Sequence, residues 1–264
     1  MKLLIYFLFY IIVLPPCFAQ IENINFSISP PIIDLKVHSN SSRTIFITMN
    51  NSGTEPLEIS TKLAELGMTI KGQAFPQEPI HNQWSCTDWI ILPFQKYSLK
   101  PNENKKAKIV IRIPGGADGG KYGIILFEAF NKQKNDLNGL NLVGRLGTLV
   151  LLELRGPKKI EGIIGDFYSE KVDAHISFKV IIKNSGNIHF KGKGSIVIFN
   201  AKNRIIDRVN IEGGTGTILP ERERLFSAVW ANSPKMIKGK YKAEVRFYIP
   251  GGKSVLKKIN QFTI

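Results

Sequence analysis

The 264-residue sequence predicts an all-β protein: two tandem immunoglobulin-like β-sandwich domains after an N-terminal signal peptide. Three observations carry that prediction. Apolar and basic residues alternate with period two in several segments, the pattern of a half-buried antiparallel strand. A set of turn signals occurs twice at matching spacing. No convincing amphipathic helix pattern of useful length interrupts them. Composition (43% hydrophobic, 22% charged) is that of a globular chain and excludes collagen-like, coiled-coil and wholly disordered classes. Two cysteines exclude a disulfide scaffold and a Cys-rich metal module.

Taken in chain order, Met1-Lys2 precede an apolar run, Leu3 to Leu14, then Pro15-Pro16 and Cys17-Phe18-Ala19. A basic start, a short apolar stretch and small residues before the cut are the marks of a secretory signal peptide, residues 1–19, cleaved after Ala19. A lipidated Cys17 and an uncleaved anchor are the alternatives. The run falls short of the ~20 residues that span a bilayer. The mature chain is therefore expected to be exported, periplasmic or at the cell surface, with no transmembrane anchor. Cys86 would be its one cysteine, either a free thiol or one half of an intermolecular bridge.

The first domain is assigned to residues 20–156 and the second to 157–264. Ile109, Ile111 and Ile113 share one face against Lys108 and Arg112. Phe178, Val180 and Ile182 oppose Lys179 and Lys183, and Tyr241, Ala243, Val245, Phe247 and Ile249 alternate with Lys242, Glu244 and Arg246. Thr61–Met68 is the one stretch that reads as a turn or two of helix. The strand Thr44–Met49 runs into Asn51-Ser52-Gly53, and Phe178–Lys183 into Asn184-Ser185-Gly186. Leu99-Lys100-Pro101 is matched by Ile218-Leu219-Pro220, and Gly120-Lys121-Tyr122 by Gly239-Lys240-Tyr241. Pro101 to Tyr122 is 21 residues, as is Pro220 to Tyr241. Each unit then holds about seven short strands, the count of an immunoglobulin-like sandwich. The first copy is longer between its Asn and Pro landmarks. The excess falls in Gly67–Ile91, whose Pro and Gly content predicts a loop excursion rather than a strand.

Ile28-Ser29-Pro30-Pro31, Thr44–Met49 with Asn50-Asn51-Ser52-Gly53, Leu99-Lys100-Pro101 and Ile109–Ile113 resemble the N-terminal domain of PapD-like periplasmic chaperones. Ile181–His189, Ile218-Leu219-Pro220, Phe226–Trp230 and Gly239-Lys240-Tyr241 are similar to the C-terminal domain of WxL-interacting cell-surface proteins. The resemblance covers most of residues 26–264. It implies a non-enzymatic protein that pairs strand edges with a secreted partner. Two departures stand out. The chaperones' Arg and Lys carboxylate clamp has no counterpart in Pro30–Leu35 or Thr148–Leu152, which hold no Lys or Arg. The WxL-interacting proteins end in a membrane helix and a basic tail, whereas this chain is read as stopping after a strand at Ile264.

No catalytic, cofactor or metal signature emerges. His38, His81, His175 and His189 lack ligand spacing and read as exposed. The glycine runs 115–120 and 213–216 lack the following helix a phosphate loop needs, so they read as turns. Glu221-Arg222-Glu223-Arg224 reads as a solvated strand start. Leu146–Leu154 is apolar on both faces. Leu149 and Leu151 are thus either buried against the second domain or offered to a partner strand by β-augmentation. Trp84 and Trp89 either tuck into the loop or form an aromatic platform.

Residues 20–156 hold 15 Lys/Arg against 12 Asp/Glu, and 157–264 hold 20 against 9, so the basic excess belongs to the second domain. Lys179, Lys183, Lys191, Lys193, Lys242 and Arg246 are the candidate contacts for an anionic cell-envelope polymer. Nucleic acid is not expected, since no binding motif accompanies the charge. The leading expectation is a chaperone-like or scaffolding partner of secreted or surface proteins. The alternative is the polymer-binding module.

Overall fold

A computed structural model describes residues 24–78, 82–131, 143–212, 216–252 and 254–264. The expected signal peptide with Cys17, along with His81 and Gly213-Gly214-Thr215, lies outside the described residues. Nineteen strands are found among them, with no α-helix. They are β1 (Phe26–Ser29), β2 (Ile32–Val37), β3 (Ser41–Asn51), β4 (Leu57–Met68), β5 (Ala74–Gln77), β6 (Ile90–Ile91), β7 (Lys96–Leu99), β8 (Asn104–Ile113), β9 (Gly120–Asn131) and β10 (Val143–Leu154), then β11 (Gly162–Val172), β12 (His175–Asn184), β13 (Phe190–Lys191), β14 (Lys193–Phe199), β15 (Ile205–Asn210), β16 (Thr217–Ile218), β17 (Glu223–Trp230), β18 (Lys240–Tyr248) and β19 (Leu256–Thr263). Short 3-10 turns stand at Thr87–Trp89 and Ser233–Lys235.

The strands make two sandwiches. In the first, β1-β3-β8-β6 faces β2-β10-β9-β4-β5, with β7 also on β4. In the second, β11-β12-β17 faces β15-β14-β18-β19, and β13 pairs β16. Each has its own apolar core. Ile47, Ile109, Ile111, Phe127 and Val150 fill the first, and Phe178, Val180, Phe226, Val245 and Phe247 the second. Apolar residues of facing sheets interdigitate as in other sandwiches. The chain is all-β, with tandem immunoglobulin-like sandwiches as the sequence predicts.

The repeated Asn-Ser-Gly has a specific role. Asn51 is fully buried. Its Nδ2 donates to the carbonyls of Glu55 (2.8 Å) and Lys100 (3.1 Å), and its Oδ1 accepts from the Gly53 N–H (3.0 Å). Asn184, also fully buried, repeats the set: Nδ2 to the carbonyls of Ile188 (2.8 Å) and Ile218 (2.9 Å), with Oδ1 accepting from Gly186 N–H (2.8 Å). One amide thus closes a turn and ties it to a segment far along the chain. Buried backbone groups need such partners because leaving them unpaired is costly. In both copies the residue after the proline is left-handed, Asn102 at φ 58° and Glu221 at φ 62°.

Several expectations are corrected. Thr61–Met68 is not helical. It lies within β4, paired with β9 over Leu57–Ala64 and with β5 over Glu65–Met68. Pairing on two partners overrides a weak local pattern. Gly67–Ile91 is not a plain loop, since it contains the β4–β5 hairpin, a 3-10 turn and β6. The Glu221–Arg224 run is only partly solvated. Arg224 is buried, and its Nη1 donates to the Thr217 carbonyl at 2.9 Å. Of the two readings of Cys86, the free thiol is the one that holds: it is buried, and burial pushes its pKa far up.

Candidate functional site

The strand singled out by its apolar run, β10, is an interior strand for half its length and an edge for the other half. Leu149–Leu154 is held between β9 on one side and β2, running parallel through Ile32–Val37, on the other. The pairing begins after a cis Ser29–Pro30 bond, where the chain crosses from β1 in one sheet to β2 in the other. The Leu149 N–H donates to the Pro31 carbonyl (2.9 Å), and Thr148 Oγ1 to that of Pro30 (2.9 Å). Val143–Gly147 pairs with β9 alone. Among the described residues no strand pairs with the opposite edge there, although Ile24 packs against Gly144. Val143 is 53% exposed, and Arg145 is fixed on Glu128 at 2.6 Å. The Glu128 carboxyl is held below its ordinary range by its hydrogen bonds to Lys62 and Arg145.

Leu149 and Leu151 are therefore not free for an added strand. Leu151 is buried, and Leu149 half-buried, in a third apolar cluster with Leu66, Tyr122, Ile124 and Leu219. Leu219 comes from the second sandwich, so this cluster is the domain junction, and the burial expectation for the two leucines is the one that holds. Polar contacts surround it. Tyr122 Oη accepts from the His189 N–H at 2.8 Å, and the Gly120 N–H donates to the Asn187 carbonyl at 2.7 Å. Gly120 leaves no room for a side chain, because an added Cβ would stand 1.9 Å from Tyr122 Oη. At the hairpin tip, Leu225 N–H donates to the Ile70 carbonyl at 2.7 Å. Burial raises the Tyr122 phenol pKa and keeps it protonated.

Trp84 and Trp89 do not form an exposed platform. Both are half-buried, and Lys121 Nζ sits 6.0 Å and 5.8 Å from their ring centres, a cation–π arrangement. Trp84 Nε1 donates to Glu221 Oε2 at 3.1 Å, and Gln83 Nε2 to Oε1 at 3.3 Å, across the junction. His189, expected to be exposed, is 8% exposed between Tyr122 and Asp34. Burial, opposed by Asp34, holds its pKa below the usual histidine value. Beside it a cleft of about 310 Å³ is lined by Asp34, Lys36, Glu153, Lys158, His189 and Lys191, among others. Lys36 stands one residue past the cation-free stretch Pro30–Leu35, so β2 does carry a cation to the cleft.

The six basic candidates are not brought together. Lys193, Lys242 and Arg246 share the outer face of β14-β18. Lys179 and Lys183 lie on β12 in the opposite sheet, and Lys191 is at the cleft. Four are engaged within the molecule: Lys179 with Glu170 (3.4 Å), Lys191 with Asp34 (3.7 Å), Arg246 with Glu244, and Lys242 over the Phe199 ring (4.4 Å). Sequence reasoning missed Val143–Gly147 as the open edge, together with Tyr122, His189 and Leu219 at the junction. The apolar Leu219, where the first copy has Lys100, was a readable signal.

No family model and no curated protein matches the chain. Among solved structures it is similar to the YadV chaperone, at 12% identity and TM-score 0.45 over 90% of this chain and 100% of that one. It is also similar to the class 5 fimbriae chaperone CfaA, at 14% identity and TM-score 0.46 over 89% and 99%. A third is the E. coli chaperone DraB, at 11% identity and TM-score 0.43 over 91% and 98%. The likeness is one of fold.

Proposed function

We propose that this is an exported, non-enzymatic binding protein, with domains 20–156 and 157–264, that holds other secreted or surface proteins by strand-edge pairing. The reading rests on one observation: β10 runs out from under β2, leaving Val143–Gly147 as a half-edge beside the rigid, doubly paired Leu149–Leu154. An open edge is a template for another chain's strand. Main-chain hydrogen bonds supply affinity there, and the exposed Val143 supplies an apolar contact. The anionic-polymer alternative is weakened because its six cations fall in three places and four have partners inside the molecule.

The test is amide hydrogen exchange on the full mature chain, free and in complex with a protein recovered from an envelope extract. Slowed exchange confined to Val143–Gly147 and its flanks supports the reading. Protection elsewhere, with this edge unchanged, refutes it. Val143→Asp should weaken capture about tenfold, the loss of one well-placed apolar contact.

A further inference from the structure

The end of the second sandwich away from the junction gathers exposed cations around an exposed aliphatic side chain. Three registers define it: Phe199 opposite Lys242, Lys240 opposite Thr263, and Ile176 opposite Trp230. They bring the 200–204 and 231–239 loops to one end, opposite to Asn184 and Leu219. These loops, with the first residue of β18, carry Lys202, Arg204, Lys235, Lys238 and Lys240, while the acidic groups at this end are Asp207, occupied by Trp230 Nε1 and Asn232 Nδ2, and Asp173 on the β11–β12 turn. All five are exposed. None is ion-paired among the described residues, unlike three of the six cations considered above.

Amid them stands Ile237, 85% exposed, the most exposed large hydrophobic residue among those described. Ile205, next to Arg204, is 59% exposed. Single exposed aliphatics are ordinary, but this one is not the product of a slack loop. The Ile237 carbonyl accepts from Tyr241 Oη at 2.7 Å. Gly239 and Ile264 exchange backbone hydrogen bonds at 3.2 Å and 3.1 Å. Ser233 Oγ donates to the Trp230 carbonyl at 2.7 Å and accepts from Ile176 N–H at 2.8 Å. Lys242 Nζ donates to Asn203 Oδ1 at 2.8 Å, tying the second loop to β18. The backbone is anchored, and the side chain projects from it between lysines.

We propose that this end of the second domain docks on an anionic phospholipid bilayer. The five cations would meet headgroup phosphates, and Ile237, with Ile205, would enter the interfacial layer. Basic residues at an anionic surface and an apolar side chain at acyl-boundary depth add to each other. Charge complementarity argues for the anionic surface, and the apolar projection argues for a bilayer over a soluble polyanion, to which Ile237 would contribute nothing. This inference does not depend on the strand-edge reading.

The experiment is co-sedimentation of the full mature chain with vesicles of phosphatidylcholine alone, or of phosphatidylcholine and phosphatidylglycerol in equal parts. Binding is expected only to the anionic vesicles and should fall as salt rises. Lys235→Gln with Lys238→Gln should weaken it about 25-fold, from about fivefold per lysine. Ile237→Ser should weaken it about fivefold, for one partly inserted side chain. None of these residues is buried, so the urea midpoint should stay put, which separates lost docking from lost folding. Equal pelleting with neutral vesicles, or none with anionic ones, overturns the proposal. So does binding indifferent to Ile237→Ser and abolished by a soluble anionic polysaccharide, which would assign the site to a polymer.

Discussion

Asn51 and Asn184 sit at the same place in the two sandwiches and make the same bonds, yet the turns they brace have different fates. In the first domain the braced segment is Leu99-Lys100-Pro101, with Lys100 exposed. In the second it is Ile218-Leu219-Pro220, with Leu219 4% exposed beneath Leu66, Tyr122 and Leu151 of the first domain. The residue after the proline follows suit. Asn102 is exposed, whereas Glu221 receives Trp84 and Gln83. A brace that serves one domain's stability therefore serves in the other as the seat for its neighbour. The change at its centre is a lysine replaced by a leucine.

That comparison can be broken in steps. Removing the brace should cost most. Asn51→Ala and Asn184→Ala each strand buried carbonyls and a Gly N–H, and each should lose about 3 kcal/mol in urea unfolding. Unequal losses, one large and one near zero, would mean the two turns are alike in sequence only. Leu219→Lys, which gives the second turn the first turn's residue, should cost about 2 kcal/mol of junction stability. It should leave the second domain's own transition in place, so two unfolding steps should separate. The reverse change, Lys100→Leu, should do nothing measurable. Trp84→Phe removes one indole donor from the exposed Glu221 and should cost at most about 1 kcal/mol.

The smallest effect is that of pH. Burial holds the His189 pKa below its unfolded value of 6.5, so the unfolded chain takes up a proton first. The stability due to neutral His189 is complete above pH 6.5 and is lost as pH falls through the folded value. Limited proteolysis between the domains should therefore quicken on acidification, and less so in His189→Asn. A junction that tightens in acid would contradict the assignment.

Much of this architecture was legible in the sequence. The period-two strands around Ile111, Val180 and Val245 follow from local alternation, and the Asn-Ser-Gly repeat follows from spacing. What the asparagines do was not legible, because each amide acts on a residue tens of positions away. The cover over Leu149–Leu154 was hidden for the same reason. It is a parallel pairing with Ile32–Val37, which leaves no trace in the periodicity of either strand. Thr61–Met68 misled because a buried Glu65, bonded by Asn82, breaks the alternation a strand usually shows. Net charge located the basic domain but not its working part. The six lysines and arginines at outward strand positions turned out dispersed and largely paired. The unpaired cations sit in loops that strand periodicity does not address.

The central claim is that the turn at Leu219 seats the first domain and so holds the open edge of β10 in a fixed frame. One amide reports on it directly: Gly120, whose N–H crosses the junction to Asn187. Its hydrogen exchange should be slow in the intact chain. It should become fast in Leu219→Lys while the core amides of Ile125 and Phe178 keep their protection. A Gly120 amide that already exchanges as freely as an exposed turn in the unaltered protein would contradict the account.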